Sequence, residues 1–333
     1  MSIRVGMGVG GFPFSSVDGF LRWVDLCENS AIDSIWVSER LVSSQPSVEP
    51  IVTMSLIAGR TERLKFGMNA IVLPFRDPLV LAKECATLDY LSGGRLLPAF
   101  GVGSETAPEF RAVGQNPTGR GSRSDETLTL LSRLWNEEHV NFEGKFFHYE
   151  DVTVTPRPVQ QPLPIWIGGS SDAAIRRTAK LGTGWLGGTQ SPREVAHVIP
   201  AIKEALITTG RTIDPDHYGV GFPFRFGGWD EPVVQRAAAV YSRMGSKTQP
   251  EEVLAVGTAE AIVAKAQEYV TAGASKFVLR VIGSSDEEQL AQTKRLIEEV
   301  VPAIHALSPR RAAHFAALPF AALFPCAALP LGP

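Results

Sequence analysis

The stretch from residue 66 to residue 102 constrains this chain more than any other. Phe66-Gly67-Met68-Asn69-Ala70-Ile71-Val72-Leu73-Pro74 is an apolar run that ends at a proline, as a buried strand would. Asp77-Pro78 then opens a helix, with aspartate as N-cap and proline in the first turn. Leu79, Leu81, Ala82, Cys85, Ala86 and Leu88 recur at helical spacing until Ser92-Gly93-Gly94 stops them. A second apolar run, 96–102, follows at once. Strand, helix and strand joined by such short turns are the grammar of a parallel α/β sheet.

The alternation continues along the chain. Strands are predicted at 3–9, 34–38, 65–73, 96–102, 164–168, 184–187, 218–224 and 276–282, with amphipathic helices between them and a last helix at 286–307. Eight strands each followed by a helix predict a closed (β/α)8 TIM barrel. An open dinucleotide-binding sheet would want GxGxxG after the first strand, and Gly6, Gly8, Gly10 and Gly11 do not have that spacing. Two connections are too long for turns. Segment 136–161 alternates around Glu143-Gly144-Lys145 and reads as a hairpin inserted after the fourth helix. Segment 225–256 follows strand seven at the mouth of the barrel and reads as a lid.

Several further blocks belong with the opening one: 34–39 (SIWVSE), Arg120-Gly121-Ser122-Arg123 running to Leu134-Trp135, 156–169 ending in PIWIGG, and Leu181-Gly182-Thr183-Gly184-Trp185. In this order, together with Leu88-Asp89-Tyr90-Leu91-Ser92-Gly93-Gly94-Arg95, they resemble the luciferase-like family of flavin- and deazaflavin-dependent oxidoreductases over about residues 3–305. The resemblance implies a cofactor that carries the chemistry. One version takes reduced FMN from a separate flavin reductase and inserts one oxygen atom of O2 into a small apolar substrate. The alternative uses coenzyme F420 for hydride transfer. A non-catalytic flavin-binding barrel is a third reading. Related proteins are commonly homodimers through helices two and three.

Barrel chemistry sits at strand C-termini. Phe12 and Phe14 after strand one either wall a substrate pocket or staple the first helix; Trp36, Met68, Phe224, Phe226 and Trp229 are further pocket candidates. Glu39 and Arg40 occupy the positions where relatives have an acid followed by histidine, so they are the catalytic candidates, with a structural pairing as the other reading. The resemblance implies a cis Asn69–Ala70 bond, with the short Ala70 under the cofactor ring. Gly101 and Gly103 let backbone approach a ligand. Luciferases carry a phosphate-binding arginine in this loop, where this chain has Val102. Gly168-Gly169-Ser170 feeding a helix offers amide donors to a phosphate, and Gly187 would complete the cup. Arg120 and Arg123 either reach the mouth or pair with Asp125 and Glu126, and pairing is the favoured reading.

The remaining features narrow the class. A formal charge of −3 with both signs interspersed argues against a nucleic-acid partner. All six histidines fall away from strand C-termini, so no metal site or Ser-His-Asp set is expected. Cys27 and Cys85 lie on apolar helix faces and read as buried thiols. Residues 1–10 lack a secretory signal, and a cytoplasmic location is expected. The barrel domain is assigned to 1–308. The tail, 309–333, is apolar and rich in alanine and proline; Pro319, Pro325 and Pro330 argue against a membrane span, and a disordered appendage is expected.

Overall fold

The computed structural model describes residues 3–243 and 248–308, so the expectations for the tail, with Cys326 and His314, lie outside it. The chain order is β1 (Arg4–Val9), α1 (Val17–Glu28), β2 (Ser34–Val37), α2 (Pro50–Arg60), β3 (Lys65–Met68), β4 (Ile71–Val72), α3 (Pro78–Leu91), β5 (Leu96–Leu97) and β6 (Ala99–Gly101). There follow α4 (Pro108–Ala112), α5 (Arg120–Asn136), the antiparallel hairpin β7 (Val140–Glu143) and β8 (His148–Val152), β9 (Trp166–Gly168), α6 (Asp172–Leu181), β10 (Gly184–Leu186) and α7 (Pro192–Thr209). The last part comprises β11 (Tyr218–Phe226), α8 (Pro232–Arg243), α9 (Pro250–Val253), β12 (Ala255–Gly257), α10 (Ala259–Thr271), β13 (Lys276–Val281), α11 (Asp286–Arg295) and α12 (Val301–His305).

The expected barrel is present, and its closure depends on two broken strands. Strand three is split into β3 and β4 at Asn69-Ala70, whose peptide bond is cis; strand four is split into β5 and β6 at Pro98. The halves pair separately, β3 with β5 and β4 with β6, all in parallel register. Then β6 pairs β9, and the ring runs through β10, β11 and β13 to β1, β2 and β3. The hairpin lies where the alternation around Gly144 places it. The insertion after strand seven holds α8, α9 and β12, and β12 adds to the edge of β11.

Two tryptophans fill the barrel interior. Trp36 and Trp166 pack edge to face at 6.1 Å between ring centroids, together with Leu97, Ala99, Leu186 and Val278. Glycines in register on the neighbouring strands make the room. A Cβ on Gly67 would lie 2.8 Å from the Trp36 ring, and one on Gly184 2.7 Å from the Trp166 ring. Below them the buried Lys276 ammonium pairs with Asp33 and lies 5.6 Å from the Trp36 ring centroid. Phe66, Met68, Phe222, Phe224 and Phe226 point the other way, into the layer between barrel and helices.

Cys27 and Cys85 are buried free thiols, and burial pushes both well above the ordinary thiol range. Among the described residues no helix is long and apolar enough to cross a membrane. On the outside, Val52 and Leu56 of α2 and Val80 and Leu91 of α3 are exposed.

Because the interior is filled, adding a methyl there forces neighbours off their rotamers. Gly67→Ala and Gly184→Ala are each expected to destabilise the fold by about 1–3 kcal/mol in denaturant titration. Gly59→Ala on α2, with nothing within 4 Å of the added Cβ, is expected to stabilise it by about 0.5–1 kcal/mol instead.

Candidate functional site

The strand C-termini form one mouth with two cavities. The first, about 580 Å³, lies over strands three to six and is lined by Asn69, Ala70, Gly101, Gly103, Gly168 and Gly169, with Leu186, Gly188, Thr189 and Gln190 on its far wall. Six of the eight residues proposed from sequence to hold a cofactor therefore come together here. The other two are displaced by one position: Ser171 and Gly188 face the cavity rather than Ser170 and Gly187. A Cβ on Gly187 would meet the Trp185 ring at 2.7 Å, so that residue faces packing.

Local geometry explains why these positions are small. Gly169 has φ +105° and Gly103 φ +71°, both in the left-handed region where side chains are strained. A Cβ on Gly103 would also lie 2.8 Å from Val72. Gly101 and Ala70 stand face to face; an added Cβ on the glycine would lie 3.9 Å from that of Ala70. Helix α6 begins directly after the Gly168-Gly169 turn. Its N-cap Ser171 accepts from the Ala174 amide, and the unpaired amides of its first turn stay near the cavity.

Two arginines reach this cavity; the sequence reading favoured local pairing for Arg120 over a place at the mouth and did not consider Arg177. Arg177 of α6 is buried; its Nε donates to Asp125 at 2.6 Å and its Nη2 to the Gly121 carbonyl at 3.2 Å. Arg120 donates to the Gly103 carbonyl at 3.3 Å and pairs with exposed Glu105 at 3.2 Å. The expected local pairing is thus corrected. Asp125 is taken by Arg177, Glu126 accepts from the hairpin amides of Lys145 and Phe146, and Arg123 lies 4.6 Å over the Phe147 ring. The missing signal was tertiary, since Arg177 is distant in sequence from the α5 start that it meets.

The catalytic candidates have defined positions. Glu39 is buried, with its side chain 1% exposed; one oxygen accepts from the Val72 amide at 2.7 Å and the other from Arg76 at 2.6 Å. Arg76 also pairs with Glu49 at 2.5 Å, the residue that caps α2, and lies 3.8 Å from Glu84 of α3. Glu39 thus braces β4 from below. Burial raises its carboxyl above the ordinary range, against the pull of Arg76 and the Val72 amide, and burial likewise raises Glu84. Arg40 is half exposed and stands 3.4 Å from the buried Glu109 of α4.

The second cavity, about 490 Å³, lies over strands seven, eight and one, between Phe12, Pro46, Pro223, Arg280 and the α8 residues Val240 and Tyr241. Phe12 and Phe14 divide the two roles left open for them. Phe12 faces this cavity, whereas Phe14 packs on Phe20 and Trp23 and staples α1. The other pocket candidates are corrected. Trp36 is barrel interior; Met68 and Phe224 are fully buried on the helix-facing side; Phe226 packs beneath Arg295 at 4.1 Å; Trp229 packs within the insertion against Val234 and Val253. Alternation along β11 turns Gly219, Gly221 and Pro223 to the barrel, so its phenylalanines face away.

The described histidines all lie off the mouth: His139 and His148 pair with Asp151 and Glu143 at the hairpin, and His217 precedes β11. His217 also comes within 4.8 Å of Asp214 and Asp216, at the end of the barrel opposite the mouth.

The luciferase-like monooxygenase family profile matches residues 3–252. The chain belongs to this family. An uncharacterized protein of Mycobacterium tuberculosis is 32% identical over 176 residues, 53% of this chain and 60% of the relative. An F420-dependent glucose-6-phosphate dehydrogenase of Kineococcus radiotolerans is 30% identical over 198 residues, 56% of this chain and 57% of the relative. The match thus spans only about 60% of the length of these curated relatives. Among luciferase-like structures, monooxygenase RslO1 of Streptomyces bottropensis superposes with TM-score 0.78 at 20% identity, covering 90% of this chain and 99% of that one. The FMN-bound oxygenating constituent of 3,6-diketocamphane monooxygenase of Pseudomonas putida gives 0.76 at 17%, covering 93% and 100%. These superpositions establish the shared barrel. The proteins that the chain resembles include an FMN-bound monooxygenase component and F420-dependent dehydrogenases.

The brace under this family's site gives a pH-dependent expectation. Arg76→Met leaves Glu39, Glu49 and Glu84 facing one another without a cation. The fold should lose about 3–5 kcal/mol at pH 8. Carboxyls whose folded pKa is raised contribute fully below the unfolded value, near 4.3, and lose that contribution as pH rises through the folded one. The deficit of the variant should therefore shrink between pH 8 and pH 5 in urea titrations. A deficit that is constant with pH would contradict it.

Proposed function

We propose that this protein is a reduced-FMN-dependent monooxygenase. The carrying observation is the pairing of a glycine-lined, two-arginine cavity at a helix N-terminus with a mouth that offers no free acid or base among the described residues. The residues fit a flavin phosphate. The Gly168-Gly169 turn leaves backbone amides open, the dipole of α6 favours an anion, and Arg177 and Arg120 supply positive charge where Val102 does not. Ala70 and Gly101 are small enough to let a planar ring lie against backbone. Bound reduced FMN would supply two electrons to O2, one oxygen atom passing to the substrate and the other leaving as water. The chain's own part is to bind, orient and enclose. Arg177 and the turn hold the phosphate, Glu39 and Arg76 fix the strand beneath the ring, and α8 covers the second cavity, where an apolar substrate would sit. A separate reductase would deliver the cofactor.

A second reading, F420-dependent hydride transfer, is favoured by the names of the curated relatives. Oxidising an alcohol that way requires a base for the hydroxyl proton. Arg40 stands where relatives have histidine, and both Glu39 oxygens are already engaged.

Titrating the apo-protein with reduced FMN and with F420 under anaerobic conditions should show FMN binding at least tenfold tighter. Admitting air to the FMN complex should then consume O2. Tighter F420 binding with no O2 uptake would replace the first reading by the second.

We further propose that α2 and α3 form a homodimer interface through Val52, Leu56, Val80 and Leu91. Sedimentation velocity should give a dimer, and Leu91→Glu a monomer with unchanged helix content. A monomeric parent protein would end the proposal.

A further inference from the structure

The second cavity carries a charge that an apolar substrate does not need. Arg280 of β13 crosses the mouth with its stem lying on glycines. A Cβ on Gly8 would come 2.9 Å from its Cγ, and one on Gly10 3.3 Å from its Cδ. No acidic side chain lines the cavity, and Arg280 enters no ion pair among the described residues. Its Nη2 donates to the Tyr241 hydroxyl at 3.0 Å, which fixes the guanidinium plane and leaves the other donors unused. The acidic residues that follow cavity-lining Ser284 are engaged elsewhere: Asp286 accepts from Ser15 and Ser16, and Glu288 from Arg225 and the Ser284 amide.

A second, independent group points the same way. Gln289 lines the same cavity, is 3% exposed, and its Nε2 has no hydrogen-bond partner. A buried donor is left unpaired only at a cost, which an acceptor on a ligand removes. An unpaired guanidinium fork and a spare amide donor match a planar oxyanion, and Arg236 of α8, which also lines the cavity, adds a second positive charge.

We infer that this cavity binds an organic carboxylate: an apolar body against Phe12, Pro46 and Val240, and a carboxyl group on Arg280 and Gln289. The inference rests on the oxidoreductase reading for which cavity holds the cofactor, and it names the class of substrate.

The test is calorimetric titration of the FMN-loaded protein with 4-phenylbutyrate and with its neutral isostere 4-phenylbutanamide. The acid should bind at least tenfold tighter. Arg280→Met should abolish that preference, Arg280→Lys should restore part of it, and Gln289→Leu should weaken the acid severalfold more than the amide. FMN affinity, titrated separately, should not change in any variant. Equal binding of acid and amide, no saturable binding of either, or a preference that survives Arg280→Met would overturn the inference while leaving the cofactor reading intact. Failure of FMN to bind, with the acid preference preserved in the apo-protein, would instead overturn the cofactor reading and keep the anion site.

Discussion

One buried carboxylate holds the working end of this barrel in place. Glu39 leaves β2 and takes the Val72 amide at 2.7 Å and the Arg76 guanidinium at 2.6 Å. Strand three is interrupted at Asn69-Ala70, so ladder hydrogen bonds alone do not fix its second half, β4. Glu39 supplies the missing tie, and Arg76 extends it to the start of α2 through Glu49 and towards α3 through Glu84. Ala70, Gly101 and the first cavity are positioned by that tie. An acid bound so fully is a brace, and the site is left short of acid/base groups as a consequence.

The barrel separates support from chemistry by depth. Below, Trp36, Trp166 and the Asp33–Lys276 pair fill the interior and exclude ligand. Above, the mouth divides by polarity. Strands three to six carry glycines, a helix N-terminus and two arginines; strands seven, eight and one carry apolar walls and the fixed Arg280, with Arg236 of α8 beside them. A phosphorylated planar cofactor suits the first, and a small organic molecule the second.

Much of this was legible in the chain. The period of the apolar runs marked the eight strands and their helices, because a buried parallel strand has to be apolar on both faces. Glycines 168 and 169 were legible because a turn feeding a capped helix needs them. Two kinds of error had physical causes. Large apolar side chains on β2, β3 and β11 read as pocket walls, yet the interior was already filled by Trp36 and Trp166, and alternation sent Met68, Phe224 and Phe226 outward. The arginines were misassigned because guanidiniums reach across helices: Arg177 takes Asp125, a residue 52 positions away. Nothing in local spacing encodes that choice. Arg280 was missed for the same reason, since Gly8 and Gly10 give it room from another strand.

The central claim is that the cavity beside α6 holds a cofactor phosphate. The most direct measurement compares the affinities of the protein for FMN and for riboflavin, which differ only in that group, before and after Arg177→Met. The account predicts that FMN binds at least tenfold tighter, about 1.4 kcal/mol or more, and that the substitution removes most of that difference while riboflavin affinity holds. Equal affinities in the unaltered protein, or a preference for FMN that Arg177→Met leaves intact, would place the phosphate elsewhere and contradict it.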